Sequence, residues 1–167
     1  MKRITVTKGN IAKVEMDAIV NAANTSLLGG GGVDGAIHRA AGGELLEECI
    51  TLGSCKTGEA KITGGYQLKA KYVIHTPGPI WRGGKWQEKE LLANCYRNCL
   101  EIAVAHNVKT IAFPSISTGV YRFPVDLAAQ IAVAEMRKFL ATNNTLEEVR
   151  VVCFDDETKQ IYKKELE

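Results

Sequence analysis

From residue 21 to residue 38 the chain reads NAANTSLLGGGGVDGAIH, and this stretch decides how the rest is interpreted. Four consecutive glycines at positions 29–32 connect an apolar run at 17–21 to a segment with helical character at 35–41. Glycine lacks the Cβ that disfavours positive φ and keeps other atoms away from the backbone. The start of a helix directs unpaired N–H groups and the positive end of its dipole outward. The stretch therefore predicts an anion site, with phosphate as the expected anion.

Three polar residues, Asn21, Asn24 and Asp34, lie in the same stretch and can do more than hold a phosphate. We expect Asn21 to brace the loop, whereas Asn24 and Asp34 are candidates for chemistry. Asp34 also has a purely structural explanation, because a carboxylate near a helix start complements the dipole.

The size and charge of the chain restrict its class. A length of 167 residues predicts one domain spanning residues 1–167, large enough to bury a core. The formal net charge of +2 provides no broad basic surface for duplex nucleic acid and argues against nucleic acid as a partner. No apolar run approaches the roughly 20 residues that a membrane helix needs, and the N-terminus does not resemble a signal peptide.

The chain has five cysteines, an odd number, and no pair has CxxC spacing. Free thiols are typical of a reducing compartment, so we expect a cytoplasmic protein. Cys95 and Cys99 lie four residues apart on a predicted helix, but a zinc site needs further ligands close by. We therefore expect buried structural thiols and no metal.

Strand and helix patterns alternate along most of the chain, which predicts an α/β domain with a mostly parallel sheet. The predicted strands are 4–7, 17–22, 60–63, 71–76, 110–113 and 149–154, and the predicted helices are 36–41, 44–52, 88–106, 125–140 and 157–166. Both glycine-containing loops, at 29–32 and 114–124, follow strands. Because ligands of such sheets bind outside the carboxyl ends of strands, both loops should border one crevice.

Two common nucleotide motifs fit poorly. Residues 30–35, GGGVDG, match GxGxxG, but a dinucleotide fold also places an acidic residue about 20 positions later at a strand end. The best-spaced acid, Glu59, is predicted to lie in a turn. A P-loop requires Gly-Lys-Ser/Thr, whereas Gly84-Lys85 is followed by Trp86. No cofactor is expected.

Several longer motifs occur in one order: GNI at 9–11, VNAAN at 20–24, LLGGGGVDGAIH at 27–38, IHTPGP at 74–79, ELLANCYRNCL at 90–100, PSISTGVYRFP at 114–124 and VVCFDDETKQIY at 151–162. Together they closely resemble the macrodomain family, and most nearly its MacroD-type branch. The resemblance covers essentially the whole chain. It implies an α/β fold, a three-layer α/β/α sandwich with a six-stranded mixed, mostly parallel sheet, that binds ADP-ribose.

The resemblance also implies which residues contact this ligand. The diphosphate would lie between the main chain of residues 30–33 and that of residues 117–121, with Tyr121 beside the distal ribose. The adenine would lie near Asn10, Ile11 and Phe154. Asn10 replaces the family's aspartate, so its hydrogen bond to the adenine amino group would lack charge assistance. Phe154 has an alternative as an ordinary core residue. The implied ligand-binding residues are Asn10, Ile11, Ala22, Gly30, Gly31, Gly32, Val33, Ser117, Thr118, Gly119, Val120, Tyr121 and Phe154.

For catalysis, the resemblance implies that Asn24 orients the distal ribose and that Asp34 acts on the ribose or on a water molecule. A shielded carboxylate beside a diphosphate should have a raised pKa. It would take a proton from water, or hold that water while a phosphate assists. The substrates would be O-acetyl-ADP-ribose and proteins mono-ADP-ribosylated on Asp or Glu.

Two other function classes remain open. A non-catalytic module that binds ADP-ribose needs the loops alone, and RNA or poly(A) binding is disfavoured by the charge. Cysteine hydrolase chemistry with His38 or His75 is disfavoured, because no cysteine lies at a nucleophile elbow. We expect His38 to bond a local backbone group. Arg122, where many members of that family have glycine, would add a charge at the mouth of the cleft or alter substrate access.

Overall fold

A computed structural model describes residues 2–167 and contains one six-stranded sheet. The strands are β1 (Ile4–Lys8), β2 (Ala18–Ala23), β3 (Lys61–Gly64), β4 (Tyr72–Pro77), β5 (Thr110–Phe113) and β6 (Glu148–Cys153). Their order across the sheet is β1-β6-β5-β2-β4-β3. All neighbouring pairs are parallel except β3 with β4, which are antiparallel. The predicted mixed, mostly parallel sheet is confirmed.

Helices cover both faces of this sheet. They are α1 (Gly32–Ala41), α2 (Gly43–Leu52), α3 (Glu88–Ala105), α4 (Val125–Leu140) and α5 (Asp156–Leu166), and a short 3-10 helix spans Ile11–Lys13. Alternate residues of β2 point to opposite faces, so Val20 packs in the core formed with α3, α4 and α5, whereas Ile19 packs in the core formed with α1 and α2. Burial on both faces explains why the strand sequences are almost continuously apolar. The three-layer α/β/α sandwich is therefore confirmed.

The start of α1 differs from the prediction. The helix begins at Gly32, with Gly31 as its N-cap, rather than at residue 35. Three of the four glycines therefore form the loop, and Gly29 has a φ of 93°, which favours glycine. Asp34 consequently lies in the first turn of α1. At the other end of the helix, the predicted interruption is confirmed, because α1 ends at Ala41 and α2 begins at Gly43.

The parallel strands β1, β6, β5, β2 and β4 all end at the same edge of the sheet. Two loops at this edge follow adjacent strands: the first loop, residues 24–31, follows β2, and the second loop, residues 114–124, follows β5. They border one crevice, as predicted. Along residues 2–167, no helix has both the length and the apolar character that crossing a membrane requires.

Candidate functional site

The first loop is held by the side chain of Asn24. Its Oδ1 accepts hydrogen bonds from Ser26 Oγ at 2.6 Å and from the main-chain N of Leu27 at 3.1 Å, and its Nδ2 donates to the Gly29 carbonyl at 2.9 Å. Gly30 lies between Asn24 and Asp34. A Cβ on Gly30 would lie 3.5 Å from Asn24 Nδ2 and 3.2 Å from Asp34 Oδ2. The structure therefore brings the two candidate catalytic residues together around Gly30.

Asp34 is a buried carboxylate, with 5% of its surface exposed. Burial raises the pKa of Asp34 above its usual value, while the hydrogen bond from Asn21 and the charge of His38 act in the opposite direction. Asn21 Nδ2 donates to Asp34 Oδ1 at 2.8 Å. A carboxylate with a raised pKa is a stronger base, which suits it to accept a proton from water.

His38 is a residue whose contact was predicted wrongly. Its Nε2 lies 3.4 Å from Asp34 Oδ1, one helical turn away, and makes no hydrogen bond to any described protein atom. The expected bond to a local backbone group is not formed. The i,i+4 spacing of Asp34 and His38 would have revealed the contact had α1 been predicted to begin at Gly32, since residues four apart on a helix are neighbours.

A buried chain of hydrogen bonds lies behind Asp34. Besides donating to Asp34, Asn21 Nδ2 lies 3.1 Å from His75 Nδ1, and His75 Nε2 lies 2.9 Å from Thr63 Oγ1. Thr63 Oγ1 in turn donates to the Gly64 carbonyl at 3.1 Å. Because Asn21 Nδ2 is a donor, His75 Nδ1 must accept and Nε2 must carry the proton, so every bond has a consistent direction.

This chain of hydrogen bonds requires a neutral His75. Burial lowers the pKa of His75 to about 3, and the charge of His38 acts in the same direction. A proton on Nδ1 would face the Asn21 amide donors and break the chain. Asn21 was predicted to brace the loop, but its side chain instead holds Asp34, and His75 fixes the orientation of Asn21. The sequence alone did not reveal the part of His75, since it depends on pairing of β2 with β4 and of β4 with β3.

The hydroxyl groups of Ser115 and Thr118 in the second loop are already bonded to protein groups, whereas Ser117 Oγ has no partner among the described residues. Thr118 Oγ1 donates to the Ser115 carbonyl at 3.0 Å, and Ser115 Oγ lies 2.9 Å from the Tyr162 hydroxyl. The loop closes on itself, because Phe123 N donates to the Ser117 carbonyl at 2.9 Å. These bonds leave the main chain, rather than the hydroxyls of Ser115 and Thr118, as the part of the loop able to contact a ligand.

The two loops share a backbone property. Within the described residues, the main-chain N–H groups of residues 29–33 and 117–121 donate no hydrogen bond to a protein group. Several of these residues, Gly30, Gly31, Gly32, Gly119 and Val120, are exposed, so their N–H groups are open to a ligand, and successive free N–H groups in glycine-rich turns form concave sites for anions. The loops that follow two adjacent strands thus offer two sets of main-chain donors. These donors could bind a diphosphate without Arg or Lys side chains. The candidate residues Gly30, Gly31, Gly32, Val33, Ser117, Thr118, Gly119, Val120 and Tyr121 all lie in these two segments or at their ends.

The candidate adenine residues lie at the far end of the same edge. Asn10 follows β1 and Phe154 follows β6, and these two strands pair with each other. Asn10 Oδ1 accepts from Ala12 N at 3.0 Å and so caps the 3-10 helix, in which Ile11 is buried. Phe154 is 74% exposed, so its alternative as a core residue is wrong. Strand β6 ends one residue earlier than predicted, at Cys153.

At the opposite end, a cleft of about 300 Å³ adjoins the first and second loops, and Asn24 and Tyr121 are among its lining residues. Ala22, in β2, is half-buried and pairs with Thr76 of β4. A larger depression of about 640 Å³ lies away from this edge, between β1 and the C-terminal ends of α4 and α5. There the Arg3 guanidinium is already bonded to three main-chain carbonyls. The Arg3 guanidinium is therefore not available to bind a ligand in the larger depression.

All five cysteines are buried and unpaired, and burial raises the pKa of Cys49 and Cys95 to about 11. Thiols of this kind are inert, because the thiolate is the reactive form. In the part of the chain that the structure describes, no three His, Cys, Asp or Glu side chains form a group able to hold a metal ion.

Comparison with known proteins gives consistent matches along the chain. A family model described as Macro domain matches residues 20–132, which include both loops. A Macro domain-containing protein of Chlorobaculum tepidum is 59% identical over 163 residues, covering 98% of this chain and 95% of that protein. An O-acetyl-ADP-ribose deacetylase of Salmonella newport is 54% identical over 164 residues, covering 96% and 92%. The crystal structure of a Trypanosoma brucei macrodomain in complex with ADP-ribose has a TM-score of 0.93 and 44% identity, covering 99% of this chain and 69% of that one.

Proposed function

Because the chain belongs to the Macro domain family, we propose that it binds ADP-ribose in the crevice at the carboxyl edge of its sheet, as a single domain. The observation that carries the proposal is the pair of unpaired N–H runs at residues 29–33 and 117–121, which suit a diphosphate. The adenine would lie towards Asn10 and Phe154, and the distal ribose towards Asn24 and Tyr121. Relatives support the choice of ligand, since one is a deacetylase of O-acetyl-ADP-ribose and another was crystallised with ADP-ribose.

The buried Asp34 further supports a hydrolase. For O-acetyl-ADP-ribose, a water oxygen attacks the acetyl carbonyl while its proton passes to the Asp34 carboxylate. The bond to the ribose oxygen then breaks, that oxygen takes the proton, and acetic acid and ADP-ribose are released. An alternative route has Asp34 hold the water while a ligand phosphate accepts the proton. The raised pKa of Asp34 favours the first route, because a carboxylate with a raised pKa is a stronger proton acceptor.

Proteins mono-ADP-ribosylated on Asp or Glu are the second proposed substrate class. Water would attack the anomeric carbon of the distal ribose, and the protein carboxylate would leave with the bonding electrons. Asp34 would again take the proton of the water. His38 Nε2 lies 3.4 Å from Asp34 Oδ1, and His38 is a positioning residue in this scheme.

One observation favours a second candidate function, a binding module without turnover. The Asn24 amide is bonded to its own loop at both ends, which suits a brace for the phosphate loop as well as a contact to the ribose. The two functions share the ligand and differ in whether Asp34 is needed for anything beyond folding.

Replacement of Asp34 by alanine tests the choice. The hydrolase proposal predicts that kcat for both esters falls by about 10²- to 10⁴-fold, the usual contribution of a positioned general base. The Kd for ADP-ribose, measured by calorimetry, should stay within roughly tenfold, because the phosphate donors are main-chain groups. Asp126→Ala is the matched control, an exposed acid in the first turn of α4. Unchanged turnover in Asp34→Ala would remove Asp34 from catalysis, and no turnover by the parent chain would favour the binding module.

A further inference from the structure

The cleft beside Asn24 and Tyr121 extends beyond the position proposed for the distal ribose. It extends from these two residues to a surface formed by Ile80, Arg82 and Trp86, with Glu88 at its base. We call it the Trp86 cleft. Because the cleft adjoins the position proposed for the distal ribose, a group esterified to that ribose would extend into it. What this cleft contacts therefore bears on which esters the chain can process.

The loop that forms one wall of the cleft is held by a buried carboxylate. Glu88 is 1% exposed and accepts hydrogen bonds from the main-chain N atoms of Arg82 at 2.8 Å, Gly84 at 2.9 Å and Trp86 at 2.6 Å. Burial alone would raise the pKa of Glu88, but these backbone donors outweigh it and lower the pKa to about 2. The carboxylate is thus ionised at neutral pH, and three backbone N–H groups fix the loop.

The same loop is joined to the second loop of the site. Trp81 N donates to the Tyr121 carbonyl at 2.9 Å, and the Trp81 ring packs on Phe123 with 4.8 Å between ring centroids. The position of Trp86 is therefore coupled to that of Tyr121 through one short hydrogen-bonded segment. Such fixed placement is what a binding surface needs, because it lowers the entropy lost on binding.

The side chains that this rigid loop presents are not needed for the core. Trp86 is 66% exposed and Ile80 is 48% exposed, and Arg82 is also exposed. Trp and Arg are the residues most enriched among those that dominate binding energy at protein interfaces. Within residues 80–88 the charged side chains are Arg82, Lys85 and Glu88, and Glu88 is buried and already bonded. The free charge of the loop is therefore positive.

We propose that the Trp86 cleft binds the polypeptide that carries the ADP-ribose, an inference that rests on the proposed function. Trp86 and Ile80 contact apolar side chains that flank the modified Asp or Glu, and Arg82 and Lys85 attract acidic residues nearby. The acceptor is thus an extended acidic segment with apolar residues next to the modification. An acetyl group carries no flanking residues that could contact Trp86 or Arg82, so O-acetyl-ADP-ribose does not use this surface.

The proposal predicts a substrate-dependent effect of Trp86→Ala. For a peptide with ADP-ribose on a central Glu, flanked by Leu and Asp, KM should rise about tenfold, as expected for loss of an aromatic anchor. For O-acetyl-ADP-ribose, kcat/KM should change by less than about twofold, since backbone donors and not side chains hold the loop to Glu88. Ile50→Ala, an exposed apolar residue on α2, is the control and should alter neither substrate.

A binding measurement makes the test independent of turnover. In the Asp34→Ala variant, the ADP-ribosylated peptide should bind more tightly than free ADP-ribose by about tenfold, and adding Trp86→Ala should abolish that difference. Adding Arg82→Glu instead should weaken binding of the acidic peptide more than that of a peptide with Gly and Ser flanks. Lys163→Glu, on α5, is the charge control.

Several outcomes would overturn the proposal. Equal losses on both substrates in Trp86→Ala would mean that Trp86 supports the fold of the site. A peptide that binds no more tightly than free ADP-ribose would show that the cleft contacts no acceptor, and preference for the uncharged flanks would remove the role of Arg82. If ADP-ribose binds but neither ester is hydrolysed, the catalytic part of the proposed function fails, while the binding comparison still decides the acceptor subsite.

Discussion

Replacing Asn21 with leucine, a side chain of similar size, would remove the group that joins Asp34 to the buried His75. Asn21 is fully buried, and its Nδ2 makes the 2.8 Å bond to Asp34 Oδ1 and the 3.1 Å contact with His75 Nδ1. In the variant, a buried carboxylate loses a donor and a buried imidazole nitrogen loses its partner. His75 has no exposed surface, and only 5% of Asp34 is exposed, so water replaces little of what is lost.

The size of the effect follows from these two losses. A buried hydrogen bond to a charged group contributes about 1.5–3 kcal/mol, and leaving a neutral buried acceptor unpaired costs about 1–3 kcal/mol. The apolar leucine recovers part of this by packing, so we expect Asn21→Leu to lower the free energy of unfolding by about 3 kcal/mol. For a chain of this length, about 2–4 °C is lost per kcal/mol, which predicts a Tm lower by roughly 6–12 °C.

The pH dependence gives the prediction a second part. Without the Asn21 bond, the pKa of Asp34 in the folded state rises further above its unfolded value of 3.8. A carboxyl group with a raised folded pKa destabilises the fold while ionised, and this cost is relieved as the pH falls through that pKa. The difference in stability between the parent chain and Asn21→Leu should therefore shrink as the pH falls towards 3.8.

Chemical denaturation of the parent chain and of Asn21→Leu at several pH values measures both parts. Asn144→Leu, at an exposed position, is the matched control and should change stability by less than about 0.5 kcal/mol. A loss below 1 kcal/mol in Asn21→Leu, or a loss that does not vary with pH, would contradict the inferred hydrogen-bond chain.

Three further predictions concern the two loops and the buried histidine. Gly30→Ala places a Cβ 3.2 Å from Asp34 Oδ2, so turnover measured by kinetics should fall by about tenfold or more. Thermal melting should show little loss of stability. Unaltered turnover would place Asp34 away from the chemistry. Gly78→Ala introduces a Cβ that lies 2.6 Å from Ile116 Cγ2 and collides with Ser117 Oγ, so the second loop must shift. Calorimetry should then show ADP-ribose binding weakened by at least about tenfold. Wild-type affinity would argue against a ligand at that loop. His75 has a pKa of about 3 in the folded state, below its value of 6.5 in the unfolded state, so the unfolded chain takes up the proton first. Stability should therefore decline as the pH falls from 6.5 towards 3. Denaturation of His75→Gln at several pH values should lack this decline, and an equal decline would mean that another group causes it.

The sheet could be predicted from the sequence because its strands are short apolar runs ended by breakers. Strand β4 was predicted within a residue, since the apolar run before Pro77-Gly78-Pro79 admits few other interpretations. Strand β5 agrees at both ends. Burial on both faces and the alternation with helices then determine a parallel sheet with helices on each side.

The start of α1 could not be predicted in the same way, because glycine disfavours helices in general but fits a helix start that binds an anion. Locating that start at Gly32 brings Asp34 and His38 onto one helix, one turn apart. The error in the helix boundary and the error about His38 thus have one cause.

Two sets of contacts were beyond the sequence for a different reason. The hydrogen bonds from Asn21 through His75 to Thr63 depend on how the strands pair. The bonds of Glu88 are local, but they depend on how the preceding loop folds back onto the start of α3. A glutamate at a helix start and a histidine in a strand have many common structural roles. Only the three-dimensional arrangement distinguishes a carboxylate that holds a loop, or an imidazole that orients an amide, from those roles.

The most direct test of the central claim is a crystal structure of the chain soaked with ADP-ribose. We expect the diphosphate oxygens within hydrogen-bonding distance of main-chain N–H groups in residues 30–33 and 117–121, with the distal ribose next to Asn24 and Asp34. A ligand bound outside this crevice, or a diphosphate held by side chains while both N–H runs stay unbound, would contradict the account.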